Sequence, residues 1–224
     1  MKPPRANIQN LIIQGIKALG LSLTETQLGQ LYQYLAELKR WNARINLTAL
    51  KSDRDIIIKL FLDSLALLPF LGGPSVADLG SGAGFPGLVV KIARPEIALT
   101  LVESRGKKAA FLDYLASLLK LDKVEVATVH LTPGLARQWG PRFDAVASRA
   151  AFSLTQLAEL AGPILQPGGV LLAPKGPALA RQEADAAQKT AQAQGLRPWE
   201  IHTYRVPFWQ EPRVLAVAYK LQSE

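Results

Sequence analysis

Asp78-Leu79-Gly80-Ser81-Gly82-Ala83-Gly84-Phe85-Pro86-Gly87 is the stretch that decides how this chain folds. It follows a short apolar run, Val76–Leu79, and opens a segment of helical pattern, with Pro86 suited to a first helical turn. Glycines let a backbone turn tightly and approach a ligand where a Cβ would collide. Such a turn after the first strand of a parallel sheet lies outside the carboxyl ends of the strands, at a topological switch point where ligands bind.

Downstream of Gly72-Gly73-Pro74, short apolar runs alternate with longer amphipathic ones. Strands are predicted at Val76–Leu79, Ala98–Glu103, Val124–Val129, Phe143–Ser148, Val170–Ala173, Ile201–Arg205 and Val214–Lys220. Helices are predicted at Pro86–Ala93, Gly106–Leu119, Leu154–Leu165 and Leu179–Gln194. This alternation implies an α/β fold, a parallel sheet covered on both faces. No helical pattern separates the last two strands, so Pro207–Arg213 should close an antiparallel hairpin. Upstream, a first helix is predicted over Asn7–Leu19 and a second from Ser22, with Glu25 completing a capping box. Asp53 or Asp55 should cap a third, which Pro69 ends. Residues 1–72 thus read as a helical extension and 73–224 as a Rossmann-like domain.

Two cofactor classes use a glycine turn of this kind. Gly82, Gly84 and Gly87 match the dinucleotide spacing, and Glu103 lies where a ribose-binding acid belongs. Asp78-Leu79-Gly80-Ser81-Gly82 also fits the form used for S-adenosylmethionine, an acid and a spacer before G-x-G. A pyrophosphate seeks a helix N-terminus and no nearby carboxylate. S-adenosylmethionine has no phosphate and carries a sulfonium and an ammonium. Asp78 at the mouth of the turn would attract that cation and repel a pyrophosphate, which favours S-adenosylmethionine.

Composition narrows the setting. The chain has 224 residues, 49% of them apolar, no cysteine and two histidines, His130 and His202. Disulfides, thiolate metal sites and cysteine nucleophiles are excluded, and no metal centre is expected. No apolar run reaches the ~20 residues needed to span a bilayer, and Met1-Lys2-Pro3-Pro4-Arg5 is not a secretory leader, so a cytoplasmic protein is expected. The net charge of +8 is concentrated in residues 1–50 and 101–150, as suits attraction to a phosphate backbone.

With these residues in view, the chain resembles the bacterial small-subunit ribosomal RNA guanine-N7 methyltransferases. The glycine turn is similar to that family's, and further motifs agree. They are Trp41-Asn42 with Asn46-Leu47-Thr48; Asp63-Ser64-Leu65; Val102-Glu103-Ser104 with Lys107-Lys108 and Phe111-Leu112; Phe143-Asp144 with Ser148-Arg149-Ala150; and Pro167-Gly168-Gly169 with Lys175-Gly176. Leu60 stands where the family usually has histidine, and His130-Leu131-Thr132-Pro133-Gly134 replaces an Arg-Ala-Glu-Glu-like run. The resemblance implies a class I S-adenosylmethionine-dependent methyltransferase fold, a seven-stranded sheet with its last strand antiparallel. It implies transfer of a methyl group to N7 of a guanine in 16S rRNA or the small ribosomal subunit. By position, Gly80, Gly82 and Phe85, with Ser81 and Gly84 of the same turn, should line the cofactor pocket. Glu103 and Ser104 should meet the ribose and Leu131 and Thr132 the adenine. Arg149 should lie between cofactor and substrate as the residue nearest the chemistry.

N7 of guanine carries a lone pair and no proton, so its methylation needs orientation and electrostatics but no general base. That suits a chain poor in histidine. Ser148-Arg149-Ala150-Ala151 stands where methyltransferases of exocyclic amines carry an Asn/Asp-Pro-Pro-aromatic motif. Lys39, Arg40, Arg44 and Lys175 are candidates for RNA phosphate contacts. Trp41, Phe208 and Trp209 are expected to pack, base stacking being the alternative. Asn46 and Thr48 are expected to cap their loop. A monomer is the default. A methyltransferase of the same fold with another substrate, and an RNA-binding assembly protein without activity, are the competing readings.

Overall fold

The computed structural model describes residues 5–222; the N-terminal segment read above lies, up to Pro4, outside the described residues. Strands β1 (Ser75–Leu79), β2 (Ala98–Val102), β3 (Val124–Ala127), β4 (Phe143–Ala147), β5 (Leu165–Lys175), β6 (Glu200–Tyr204) and β7 (Arg213–Tyr219) form one sheet in the order β3-β2-β1-β4-β5-β7-β6. β1 to β5 run parallel, and β7 is antiparallel to both β5 and β6. The expected final hairpin is present, and the order reverses between β1 and β4.

Successive strand residues face opposite sides of a sheet, and here both sides are buried. Val76 and Leu172 point into one apolar cluster, Ala77 and Leu171 into another. The first cluster also takes Ile12 from α1 (Arg5–Ala18), Tyr34 from α2 (Glu25–Asn42), Leu88 from α5 (Gly87–Ala93) and Leu112 from α6 (Gly106–Leu118). The second takes Leu157 from α8 (Leu154–Ala161) and Ala187 from α9 (Pro177–Ala193). The N-terminal helices therefore share a core with the sheet.

Several local features differ from the sequence reading, among them that α8 ends at Ala161 and β5 already begins at Leu165, where the helix was predicted to end. The capping box of α2 is Thr24 with Gln27, not Ser22 with Glu25. Gln27 also donates through Nε2 to the carbonyls of Ile92 and Ala93, a tertiary tie that favours this register. The third helical segment is capped by Ser52 and starts as α3 (Asp53–Ile56). It then widens into a π-turn over Ile57–Leu62 before α4 (Asp63–Leu65), and Pro69 lies inside a following 3-10 turn, Leu68–Phe70. A short helix, α7 (Pro133–Trp139), follows β3 where no helix was predicted. No helix among the described residues is long and apolar enough to cross a membrane.

Candidate active site

A cleft of about 500 Å³ opens at the carboxyl edge of the sheet, lined by the segments after β1, β2, β3 and β4 and by Leu47, Thr48 and Leu60 from the helical extension. Gly80, Ser81, Gly82, Ala83 and Phe85 form one wall. Gly82 has φ +58°, and a Cβ built there comes no nearer to protein than 3.8 Å, so its bare backbone faces open space. Gly84, at φ +93°, is enclosed instead: a Cβ would lie 2.6 Å from Leu88 and 2.7 Å from the Tyr34 hydroxyl. Gly84 is not part of the wall.

The turn is braced from behind by the extension. The Tyr34 hydroxyl donates to the Ala83 carbonyl at 2.6 Å, and its ring stacks on Phe85 at 5.0 Å. Phe61, carried by the π-turn, meets the Phe85 ring edge-on at 5.2 Å. Sequence reasoning did not single out Tyr34 or Phe61.

Most amides of the turn are already engaged. Gly80 and Ser81 donate to the Val102 carbonyl at 2.8 and 3.1 Å, Gly84 to the Ser81 carbonyl at 2.7 Å, and Gly82 to Glu103 Oε2 at 2.9 Å. A pyrophosphate site requires free amides pointing at the ligand. Glu103, buried in the cleft wall, accepts from Gly82 and, through Oε1, from Arg105 at 2.8 Å. Each carboxylate oxygen keeps further acceptor capacity, which suits ribose hydroxyls. A phosphate-free, cationic ligand fits this wall, and S-adenosylmethionine is such a molecule.

Asp78 does not do what the sequence suggested. It is 1% exposed and absent from the cleft wall; its Oδ2 accepts the Gly87 amide at 2.9 Å at the start of α5. Gly87 allows this approach, since a Cβ there would lie 2.8 Å from that oxygen. The acid that reaches the cleft is Glu103, so attraction of the ligand's cation by Asp78 is not what shapes this site. Burial raises the Asp78 carboxyl to about 7, with the Gly87 amide opposing and Glu103 adding to the rise. The folded protein therefore holds a proton between roughly pH 4 and 7 that the unfolded chain has released. Stability falls as pH rises through that window and levels off above it. Asp78→Asn removes this titration. Urea unfolding should show the variant gaining on the native protein by on the order of 3–4 kcal/mol from pH 4 to pH 8. A difference independent of pH would contradict the assignment.

Arg149, at the end of β4, lines the cleft and is held at its far side by a buried network. Its Nη2 donates to the Lys59 carbonyl of the π-turn and lies 3.4 Å from Asp63 Oδ2. Asp63, 1% exposed, also accepts the Tyr204 hydroxyl at 2.7 Å and lies 3.5 Å from Arg213 Nε. Burial lowers the Arg149 pKa and Asp63 opposes it; a guanidinium stays charged under such conditions. Arg149 Nη1 is buried without a partner. Ala150 follows at φ +55°, uncommon for a residue with a side chain.

The other expected residues divide. Ser104 and Leu131 line the cleft, with His130 beside them. Thr132 does not; its hydroxyl caps α7 by accepting the Leu135 amide. Lys175 donates to the Phe152 carbonyl at 2.8 Å and pairs with Glu183 at 2.8 Å, tying α9 to the cleft loop rather than reaching outward. Lys39 pairs with Asp53 at 2.5 Å, and Arg40 with Glu37 at 2.9 Å, while Arg44 is exposed. Arg105 and Lys108, not singled out as RNA contacts, stand in the cleft wall. Trp41 packs on Phe111 and Tyr114 as expected. The loop after α2 is held by Asn42, whose Oδ1 accepts the Leu47 and Thr48 amides, each at 2.8 Å; Thr48 Oγ1 accepts the Leu50 amide at 3.2 Å.

Known proteins share this fold. Among solved structures, a S-adenosylmethionine-dependent O-methyltransferase of Thermotoga maritima superposes with a TM-score of 0.53 at 14% identity, covering 84% of this chain and 72% of its own. M. jannaschii TYW2 in complex with AdoMet gives 0.53 at 12%, over 73% and 76%. The [4+2]-cyclase SpnF gives 0.55 at 17%, over 90% and 98%, so the fold alone does not specify the reaction. Sequence relatives are more specific. The ribosomal RNA small subunit methyltransferase G of Roseiflexus sp. (strain RS-1) is 40% identical over 215 residues, covering 95% of this chain and 91% of the relative. That of Deinococcus deserti is 40% identical over 217 residues, covering 95% and 88%. The family model described as rRNA small subunit methyltransferase G matches residues 27–210, and with these relatives it shows that the chain belongs to that family.

Proposed function

We propose that this protein transfers a methyl group from S-adenosylmethionine to N7 of a guanine in 16S rRNA. The observation that carries this reading is the end of β4. Arg149, Ala150, Ala151 and Phe152 line the cleft there, and the Ser148 hydroxyl is committed to the Leu79 carbonyl at 2.7 Å. No side chain at this position takes a proton. His130 stands after β3, which β2 and β1 separate from β4 in the sheet. Guanine N7 attacks with a lone pair and has no proton to lose, so such a cleft is sufficient.

Glu103 and Ser104 would hold the ribose, Gly80, Ser81, Gly82 and Phe85 the methionine side, and Leu131 the adenine. When bound, S-adenosylmethionine supplies a methyl group activated by its sulfonium. The chain's own contribution is to fix the guanine, exclude water and offset charge. Arg149, held by Asp63, which it shares with Arg213, stands where it can orient the base. Arg105 and Lys108 at the rim would meet RNA phosphates, with exposed Arg44 further out. Residues 1–72 act in this reading as an extension that braces the cofactor turn of the 73–224 domain, supported by the contacts of Tyr34 and Phe61. We read the protein as a cytoplasmic monomer working on the small ribosomal subunit or its rRNA.

Transfer of labelled methyl to 16S rRNA, followed by mapping of the modified base, tests the proposal. RNA with 7-deazaguanosine at the mapped position should accept none. Undiminished transfer to that analogue would overturn the N7 assignment, and no transfer to any rRNA would overturn the substrate class.

A further inference from the structure

Residues 205–212 join β6 to β7, and because β6 runs with β5 this loop lies at the same sheet edge as the cleft. Packing was expected of both its aromatics. Trp209 does pack, against the core shared with the extension. Its ring carries the Arg213 guanidinium at 4.7 Å and faces the Lys59 ammonium at 6.0 Å. Phe208 does not pack: it is 43% exposed, and its φ of +66° is a genuine outlier for a bulky residue. That conformation persists only because its surroundings hold it. The Trp209 amide closes a turn on the Val206 carbonyl at 3.1 Å, Pro207 and Pro212 restrict the loop on either side, and Arg213 is anchored toward Asp63.

The same anchors reach the cleft. Lys59, whose ammonium faces Trp209, gives its carbonyl to Arg149, and Asp63 touches both Arg149 and Arg213. An exposed aromatic ring thus sits on a loop whose Trp209 and Arg213 are linked, through Lys59 and Asp63, to the residue placed nearest the target base. Arg205 is exposed on the same loop, and Glu211 is the one acid in it. Exposed aromatics beside cations are what RNA-binding surfaces use to stack on unpaired bases, and a loop backbone already held in one conformation loses little freedom on binding.

We infer that Phe208 is a stacking platform for an unpaired nucleobase next to the target guanine, an assignment that rests on the rRNA substrate proposed above. Three proteins test it: the native chain, Phe208→Ala and Phe208→Trp. In steady-state methylation, KM for RNA should rise about 5- to 100-fold in Phe208→Ala, with kcat at saturating RNA close to native. Phe208→Trp should restore KM. Titration with S-adenosylmethionine and the melting temperature should be unchanged in both variants. An unchanged KM in Phe208→Ala would overturn the inference. So would a loss of cofactor affinity or melting temperature in step with activity, which marks packing. Fluorescence anisotropy with a labelled single-stranded oligoribonucleotide separates this from the substrate question. If the native chain methylates no rRNA, the proposed function fails, and equal oligonucleotide affinity of native and Phe208→Ala proteins then removes the platform as well.

Discussion

Replacing Gly82 with valine abolishes binding of S-adenosylmethionine while leaving a folded protein. The two halves of this expectation rest on different observations. Gly82 has φ +58°, so a side chain there incurs the left-handed penalty, about 1–2 kcal/mol. For a chain of this size that corresponds to a fall in melting temperature of roughly 2–8 °C. The Cβ itself meets no protein atom nearer than 3.8 Å, so the cost is mainly that of the backbone conformation. The valine side chain instead stands in the cleft, between the turn and the space in front of Glu103. Calorimetric titration should therefore show no heat of binding in a variant whose thermal transition remains cooperative. Gly84→Val is the contrasting variant. Its side chain would strike Leu88 and Tyr34 and should lower stability far more than Gly82→Val does. Native-like cofactor affinity in Gly82→Val would show that the ligand lies elsewhere.

Asp63→Ala costs about 3–5 kcal/mol of stability, the characteristic loss when one partner of a buried ionic cluster is removed. Asp63 is 1% exposed and faces Arg149 at 3.4 Å, Arg213 at 3.5 Å and the Tyr204 hydroxyl at 2.7 Å. Without it, two guanidinium groups whose side chains are 17% and 14% exposed repel each other with no counter-charge. Denaturant unfolding measures the loss directly. Asp63→Asn keeps an acceptor for Tyr204 and should lose less, remaining folded for kinetics. Its kcat/KM on rRNA should fall with cofactor affinity retained, because Arg149 loses its support while Glu103 and the glycine turn are untouched. A change below 1 kcal/mol in Asp63→Ala would mean that the cluster is not a unit.

The features that were legible in the sequence are those written in local pattern. Alternation of apolar runs with amphipathic segments revealed the strand and helix order, and the absence of a helix before Val214 revealed the antiparallel end. Glu103 was legible because an acid closing the second strand of such a sheet stands at the edge where ligands bind. What escaped notice depends on tertiary partners. Asp78 looked like a cleft carboxylate, but which way a side chain at the end of β1 turns is decided by the Gly87 amide beneath it. Lys175 looked like a phosphate contact until Glu183, from a different element, turned out to hold it. Tyr34 and Phe61 carry only a helical period in sequence, yet they determine where Phe85 stands. The π-turn over Ile57–Leu62 gives no local signal, and α7 is too short and too glycine-marked at Gly134 to show periodicity. Phe208 and Trp209 are adjacent and alike in sequence; only the contacts with Arg213 and Lys59 distinguish the ring that packs from the one that does not.

A crystal structure with S-adenosylhomocysteine bound is the most direct measurement. It should show the ribose hydroxyls within hydrogen-bonding distance of Glu103, the ligand backbone against Gly80 and Gly82, and the thioether facing the side of the cleft that Arg149 closes. A ligand seated away from Glu103, or displaced from this cleft by NAD, would contradict the account.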